Sequence, residues 1–166
     1  MKIAIMSDSH DRWDYLEKAI EIANKEGCGY LLFACDLISP QGVPVLEKFK
    51  GKVIFVWGNN EGERAGLKRK FEDLKKVEFF GDTYKGELSG LKIFMNHYPQ
   101  KVESAAKSGN YDLCIFGHTH QYFQEKVGCW LINPGEIQGY SSGQTTFSIF
   151  DSEAKKPEKR RIASGI

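Results

Sequence analysis

Five short apolar runs in this sequence each end in residues that can bind a metal ion. IAIM is followed by Ser7, Asp8, Ser9 and His10, and LLFAC by Asp36. IFVW is followed by Gly58 and Asn59, KIFM by Asn96 and His97, and LCIF by Gly117, His118, Thr119 and His120. The chain has four histidines, and all four stand at these run ends. A lone histidine is ordinary on a surface or in a satisfied core; four in matching contexts point to ligation. Asp8, His10, Asp36, Asn59, His97, His118 and His120 offer carboxylate oxygens, imidazole nitrogens and one amide oxygen, with no thiolate needed. Such a donor mixture suits manganese, iron, nickel, cobalt or zinc. Seven side chains are too many for one tetrahedral ion and about right for two ions sharing a carboxylate. Two ions ~3.5–4 Å apart can clamp an in-line displacement at phosphorus, and a water held between them is acidified into a nucleophile.

The local spacings fit that chemistry. In Asp8-x-His10 and His118-x-His120 the two side chains share a face if the backbone stays extended, and diverge towards different ions if it does not. Glycine before Asn59 and His118 permits a sharp turn at a strand end. Open α/β sheets bind ligands just beyond the carboxyl ends of their strands, so five such ends converging would gather the set.

The rest of the sequence supplies the elements that must do the gathering. Residues 3–6, 30–34 and 53–57 read as buried strands. They alternate with helices expected over 13–26, where Leu16, Ala19, Ile20 and Ala23 share a face, and over 43–49 and 67–74. Asp11 is the expected N-cap of the first helix and Gly27 its stop. Alternating strands and helices favour a parallel sheet. Beyond residue 76 the pattern changes. Residues 77–80, 84–88 and 91–95 are close together with hairpin residues between them, and 122–127 and 130–132 flank Gly128. A helix over 101–107 and a buried run over 113–116 lie between. Residues 145–150 and 160–163 are expected to pair as the last strands. The charge cluster over 155–161 reads as a solvated turn. The reading is a mixed α/β domain with two sheets and outer helices.

Composition narrows the function. The chain has 166 residues, 41% apolar and 27% charged, which suits one domain with a sizeable core. Its 23 basic and 22 acidic residues leave a net charge of only +1, little for a general polyanion binder. No apolar run approaches the roughly 18 to 20 residues that span a bilayer, and the apolar stretch in MKIAIMSDSH is too short for a signal peptide. Cys28, Cys35, Cys114 and Cys129 form no CxxC pair, and a structural disulfide is not expected. A soluble, cytoplasmic protein with no membrane partner is the expectation.

The ordered set DSH, CD, GNNE, NH and GHTH resembles the calcineurin-like metallophosphoesterases, whose pattern is roughly D-x-H, G-D, G-N-H-[DE], G-H and G-H-x-H. The short length is similar to the branch containing YfcE-type phosphodiesterases and the retromer subunit Vps29. The resemblance runs from Lys2 through Phe150, and Asn133-Pro134-Gly135 matches a motif common in that branch. It implies one domain over 1–166 with a four-layer α-β-β-α sandwich of two mixed sheets. It implies a binuclear centre, with one ion held by Asp8, His10, Asp36 and His120 and the other by Asp36, Asn59, His97 and His118. Asp36 would bridge, and a bridging hydroxide would attack phosphorus. The implied activity is hydrolysis of a small phosphodiester or nucleotide-derived substrate, dependent on two divalent ions. Homo-oligomer formation is an expectation from the same analogy.

Five positions depart from the usual family residues. Asn60 replaces a histidine thought to assist the leaving group, and a neutral amide is no general acid near neutral pH. Substrates with good leaving groups, diesters before monoesters, are therefore expected. Cys35 replaces the glycine before the bridging aspartate. Tyr98 and Pro99 replace the glycine and second histidine of an HGH segment, and Tyr98 is expected to narrow the pocket. Glu61 replaces the more frequent aspartate as a carboxylate that orients a ligand. Arg64 is a candidate for holding a substrate phosphate. No GxSxG elbow accompanies Ser7 or Ser9, and residues 135–143 carry no Walker A pattern. The rival reading is a non-catalytic, Vps29-like protein-binding scaffold on the same fold; against it, all seven ligand positions are filled. Long nucleic acid is disfavoured by the charge.

Overall fold

The computed structural model describes residues 1–162. The apolar runs form strands buried on both faces. The first sheet has the order β11-β10-β1-β2-β3-β4, with β1 at Lys2–Met6, β2 at Cys28–Phe33, β3 at Lys52–Phe55, β4 at Val77–Phe79, β10 at Thr146–Asp151 and β11 at Lys156–Arg161. Strands β1 to β4 run parallel, and β10 pairs antiparallel with β1. The second sheet has the order β5-β6-β7-β9-β8, with β5 at Thr83–Leu88, β6 at Leu91–Asn96, β7 at Leu113–Ile115, β8 at Tyr122–Val127 and β9 at Cys129–Pro134. Both sheets are mixed.

Alternation along the strands builds the layers. Ile3, Ile5, Leu32, Ala34, Ile54 and Val56 face inward and pack on Ile93, Met95, Leu113, Ile115 and Ile132 of the second sheet. Ala4, Met6, Leu31, Phe33, Val53 and Phe55 face outward and are covered by helices. These are α1 at Trp13–Lys25, α2 at Val43–Glu47 and α3 at Arg64–Asp73. Helix α1 buries Leu16, Ala19, Ile20 and Ala23, the face its spacing predicts. On the far side, α4 at Pro99–Lys107 packs Val102, Ala105 and Ala106 on Phe94, Cys114 and Leu131. The result is the four-layer α-β-β-α sandwich. Two buried faces per strand explain why the sequence shows continuous apolar runs rather than alternation.

Three local expectations fail. Residues 77–79 are not part of the hairpin group: β4 closes the first sheet beside β3, and the chain crosses to the second sheet at Gly81 and Asp82. Gly81 takes a φ of +68° there, and its carbonyl accepts from Trp57 N at 2.7 Å. The charge cluster is not a solvated turn but edge strand β11, with Pro157 opposite Phe150. Lysines and a proline are tolerated on an edge because one side of the backbone needs no partner. The expected last strand over 160–163 therefore begins four residues earlier, at Lys156, and Ala163 lies outside the described residues. Asp11 does not cap α1; Arg12 stands at that position without a side-chain bond. The Asp11 carboxylate instead accepts from Ser39 Oγ at 2.8 Å and Trp13 Nε1 at 3.2 Å. All four cysteines are buried free thiols.

Candidate metal centre

Strand ends of both sheets deliver the seven candidate ligands to one seam. From the first sheet, Asp8 and His10 follow β1, Asp36 follows β2 and Asn59 follows β3. From the second, His97 follows β6, and His118 and His120 follow β7. Asp8, Asp36 and His97 are fully buried. Glycines make the approach possible. A Cβ on Gly58 would stand 2.0 Å from Asp36 Oδ1, and one on Gly117 would stand 2.1 Å from Ser7 Oγ.

Asp36 lies between two groups. Its Oδ2 is 3.5 Å from His10 Nε2 and 3.5 Å from His97 Nε2. Asp8 Oδ1 is 3.3 Å from His120 Nε2 and 3.7 Å from His10 Nε2. Asp8, His10 and His120 form one cluster with metal-binding spacing, and Asp8, Asp36 and His97 a second. Asn59 Oδ1 stands 2.8 Å from both His97 Nε2 and His118 Nδ1, which are 3.3 Å from each other.

The protons are placed elsewhere. His97 Nδ1–H donates to the Ala34 carbonyl at 2.8 Å, which leaves the Nε2 lone pair facing the Asn59 oxygen. Asp8 Oδ1 and His10 Nε2 are buried without a hydrogen-bond partner. Converging lone pairs and orphaned buried acceptors are costly unless a cation satisfies them. The residues thus fit divalent ions, by donor type and by this unsatisfied state. Burial alone would raise the Asp8 carboxyl, but the adjacent imidazoles of His10 and His120 and the nearby His97 outweigh it and bring it down to about 2. His120 is raised, chiefly by its bond to Asp8.

The backbone is strained around these side chains. Asp8, His10, Asp36, His118 and His120 all take positive φ, between 42° and 66°, and Cys35 takes 85°. Left-handed non-glycine residues cost on the order of 1–3 kcal/mol each and persist where the surroundings fix them. Glu61 is one such fixture. It accepts from Cys35 Sγ, from Leu37 N at 3.2 Å and from Gly58 N at 2.7 Å, so one buried carboxylate ties the Asp36 loop to the Asn59 loop. Burial raises its pKa, and burial likewise raises that of Cys35.

Other residues singled out by sequence stand as follows. Asn60 donates to Asp36 twice, from its backbone N at 2.9 Å and its amide at 2.8 Å. Tyr98 flanks the imidazoles of His97 and His118, with ring centroids at 5.3 and 5.1 Å. Arg64 opens α3 and donates to the Gly58 carbonyl at 3.1 Å, which ties its guanidinium to the Asn59 loop. Sequence reasoning missed Glu136. It is fully buried, and its otherwise unpartnered Oε2 sits 3.1 Å from His120 Nδ1. Gln138 and Ser141 also meet that nitrogen, at 3.1 and 2.8 Å. The available signal was Asn133-Pro134-Gly135, which ends the strand beside β7. Asn133 there donates to the Gly117 carbonyl and to Thr119 Oγ1, both at 2.9 Å, so the next residue faces the histidine loop.

Comparison with known proteins identifies the family and the fold. The chain is 39% identical over 159 residues to phosphodiesterase MJ0936 of Methanocaldococcus jannaschii, covering 94% of this chain and 96% of that protein. The solved structure of a novel archaeal phosphodiesterase superposes with a TM-score of 0.92 at 38% identity, over 97% of this chain and 99% of that one. YfcE, a phosphoesterase from E. coli, shares the fold at 17% identity with a TM-score of 0.67, over 98% of this chain and all of its own (100%). Residues 1–155 match the calcineurin-like phosphoesterase superfamily domain, and the chain belongs to that superfamily.

Proposed function

We propose that the protein is a metal-dependent phosphodiesterase acting on a small phosphodiester or nucleotide-derived substrate at a binuclear centre. The observation that carries this reading is the convergence of metal-ligating atoms at the seam: Asp8 Oδ1 and His10 Nε2, buried with no hydrogen-bond partner, and His97 Nε2 and Asn59 Oδ1, which face each other at 2.8 Å. Asp8, His10, Asp36 and His120 would hold one divalent ion, and Asp36, Asn59, His97 and His118 the other, with manganese, nickel, zinc, iron or cobalt all compatible with the donors. When bound, the pair supplies an acidified water and charge stabilisation for displacement at phosphorus.

The chain's own residues do the rest. Ala34 O and Glu136 hold the His97 and His120 rings by their far nitrogens, which fixes tautomer and orientation. Asn60 orients Asp36 and has no proton to give an alkoxide, so good leaving groups are favoured. Tyr98 walls one side of the centre, and Arg64 is a candidate contact for a substrate phosphate. Among the described residues no helix is long and apolar enough to cross a membrane. Four unpaired thiols support a cytoplasmic location.

The test is hydrolysis of bis(p-nitrophenyl) phosphate beside p-nitrophenyl phosphate. Metal-stripped protein is assayed alone and with Mn²⁺, Ni²⁺ or Zn²⁺. Metal-dependent cleavage of the diester with little of the monoester is expected. No cleavage with any metal, in folded protein, moves the assignment to a protein-binding scaffold. Asn60→His should raise monoester cleavage relative to diester by about tenfold, since it restores a proton donor.

A further inference from the structure

The outer face of the second sheet is only partly covered. Helix α4 packs on Phe94, Cys114 and Leu131. It leaves edge strand β8 bare, with Phe123 at 40% and Val127 at 41% exposure. Between α4 and β8 lies an open groove of about 580 Å³, the size of an organic-ligand site. One stripe of α4 (Pro99, Glu103, Ala106) forms one wall. Phe123 and Val127, on the same face of β8, form the other. Phe116 and Phe123 meet at 6.3 Å between ring centroids.

The position of the groove says what it serves. Its upper end is made by Pro99, Thr119 and Gln121. Thr119 stands between His118 and His120, Pro99 follows the Tyr98 that flanks His97, and Gln121 follows His120. The loops that carry three imidazoles therefore also form the mouth of a mostly apolar trough, whose rim carries Glu103, Lys107 and Glu125. A phosphate fills none of that volume. A second copy of the chain is a poor occupant of the edge: the twofold pairing that sets Phe123 against the other copy's Val127 sets Glu125 against its own copy. Like charges directly opposite destabilise a strand pair.

We propose that this groove is a substrate subsite, and that the substrate is a phosphodiester carrying one bulky, largely apolar ring-bearing group that lies along it. The proposal rests on the phosphodiesterase reading for its chemistry. Phe123 and Val127 are specificity determinants that touch the organic group, not the phosphorus.

The test compares two diesters with the same leaving group, methyl p-nitrophenyl phosphate and 2-naphthyl p-nitrophenyl phosphate, on Mn²⁺-loaded protein. Leaving-group chemistry cancels in the ratio of their kcat/KM values. A preference for the naphthyl ester of about tenfold or more is expected, carried mainly by KM. Phe123→Ser and Val127→Ser should each reduce that ratio towards one. Both side chains are part-exposed, so neither substitution opens the core, and a thermal melt checks it. Equal kcat/KM values in the wild type, or a preference untouched by both variants, overturn the subsite. A readout without turnover separates the two proposals: 2-naphthyl methylphosphonate is titrated in by NMR. Amide shifts at Phe123 and Val127 support the groove even if no diester is cleaved, in which case the phosphodiesterase reading alone fails. Shifts confined to the histidine loops overturn the groove alone. If gel filtration shows a dimer that Phe123→Ser dissociates, with no naphthyl preference, a second copy covers the face and the proposal falls.

Discussion

The two sheets contribute to the same centre from different positions of strength. The six-stranded sheet is covered by α1, α2 and α3, and its buried strand ends supply Asp8 and Asp36. The five-stranded sheet is covered by α4 alone and supplies His97, His118 and His120. Buried carboxylates are the harder groups to hold in low dielectric, and both come from the better-packed half. The thinner half brings rings held at their far nitrogens: His97 Nδ1 donates to Ala34 O, and His120 Nδ1 meets Ser141 Oγ and Gln138 Nε2, with the Glu136 carboxylate 3.1 Å away. The lesson is a division of labour: the better-packed half supplies both carboxylates, with His10 and Asn59, and the thinner half supplies the other three imidazoles.

The sharpest way to break this comparison is Asp36→Asn. It removes the charge of the carboxylate that would bridge the two ions, and metal-dependent diester cleavage should fall on the order of a thousandfold or more. The metal-free protein should melt no lower than wild type, because one of two neighbouring buried carboxylates is neutralised. Steady-state kinetics beside a thermal melt reads both halves of the expectation. Next in size is Glu136→Gln on the imidazole side. It keeps the shape and weakens the grip on His120, so metal affinity should drop by about 10–100-fold, measured by competition with a chelator dye. A loss at Glu136 equal to that at Asp36 would erase the distinction between the two sides.

Amide hydrogen exchange probes the cover itself. Amides of α4 should exchange about tenfold or more faster than those of α1, whose face is wholly buried. The smallest effect is the pH dependence of the metal-free protein. The depressed Asp8 contributes stability that is complete above its ordinary value of 3.8 and is lost as pH falls through about 2. The raised His120 contributes below its ordinary value of 6.5, and that share is lost as pH climbs past its raised one. Melting temperature without metal should therefore be highest between these ordinary values and decline gently towards alkaline pH. Metal affinity should move the opposite way, rising with pH, because His120 binds an ion only after losing its proton.

The candidate ligands were legible because a strand buried on both faces must be apolar throughout, so the polar residues just beyond it mark the strand end. Asp8, Asp36, Asn59, His97 and His118 stand within a few residues of such ends and are of metal-binding types, and Leu16, Ala19, Ile20 and Ala23 gave α1 its face. What stayed hidden depends on contacts far apart in sequence. Nothing local tells that Val77 pairs with Val53 rather than with the next hairpin. Residues 156–161 look like solvent because an edge strand can carry charge, and its order comes from β10 and from Arg160 gripping Glu26 at 2.6 and 2.8 Å. Glu136 ends no apolar run; only the neighbouring β7 loop brings His120 to it.

The place of β10 bears on how the molecule is made. Strand β1 carries Asp8 and His10 at its end, and it is flanked by β2 on one side and by β10 on the other. During synthesis the β2 edge is satisfied early, but the other edge of KIAIM stays open until Thr146–Asp151 has emerged from the ribosome. Through that interval a nascent chain presents an unpaired apolar edge, the kind of surface chaperones cover and stray strands attack. Productive folding thus closes last beside the residues that matter first, and damage to the final hairpin will show as insoluble protein before it shows as lost catalysis.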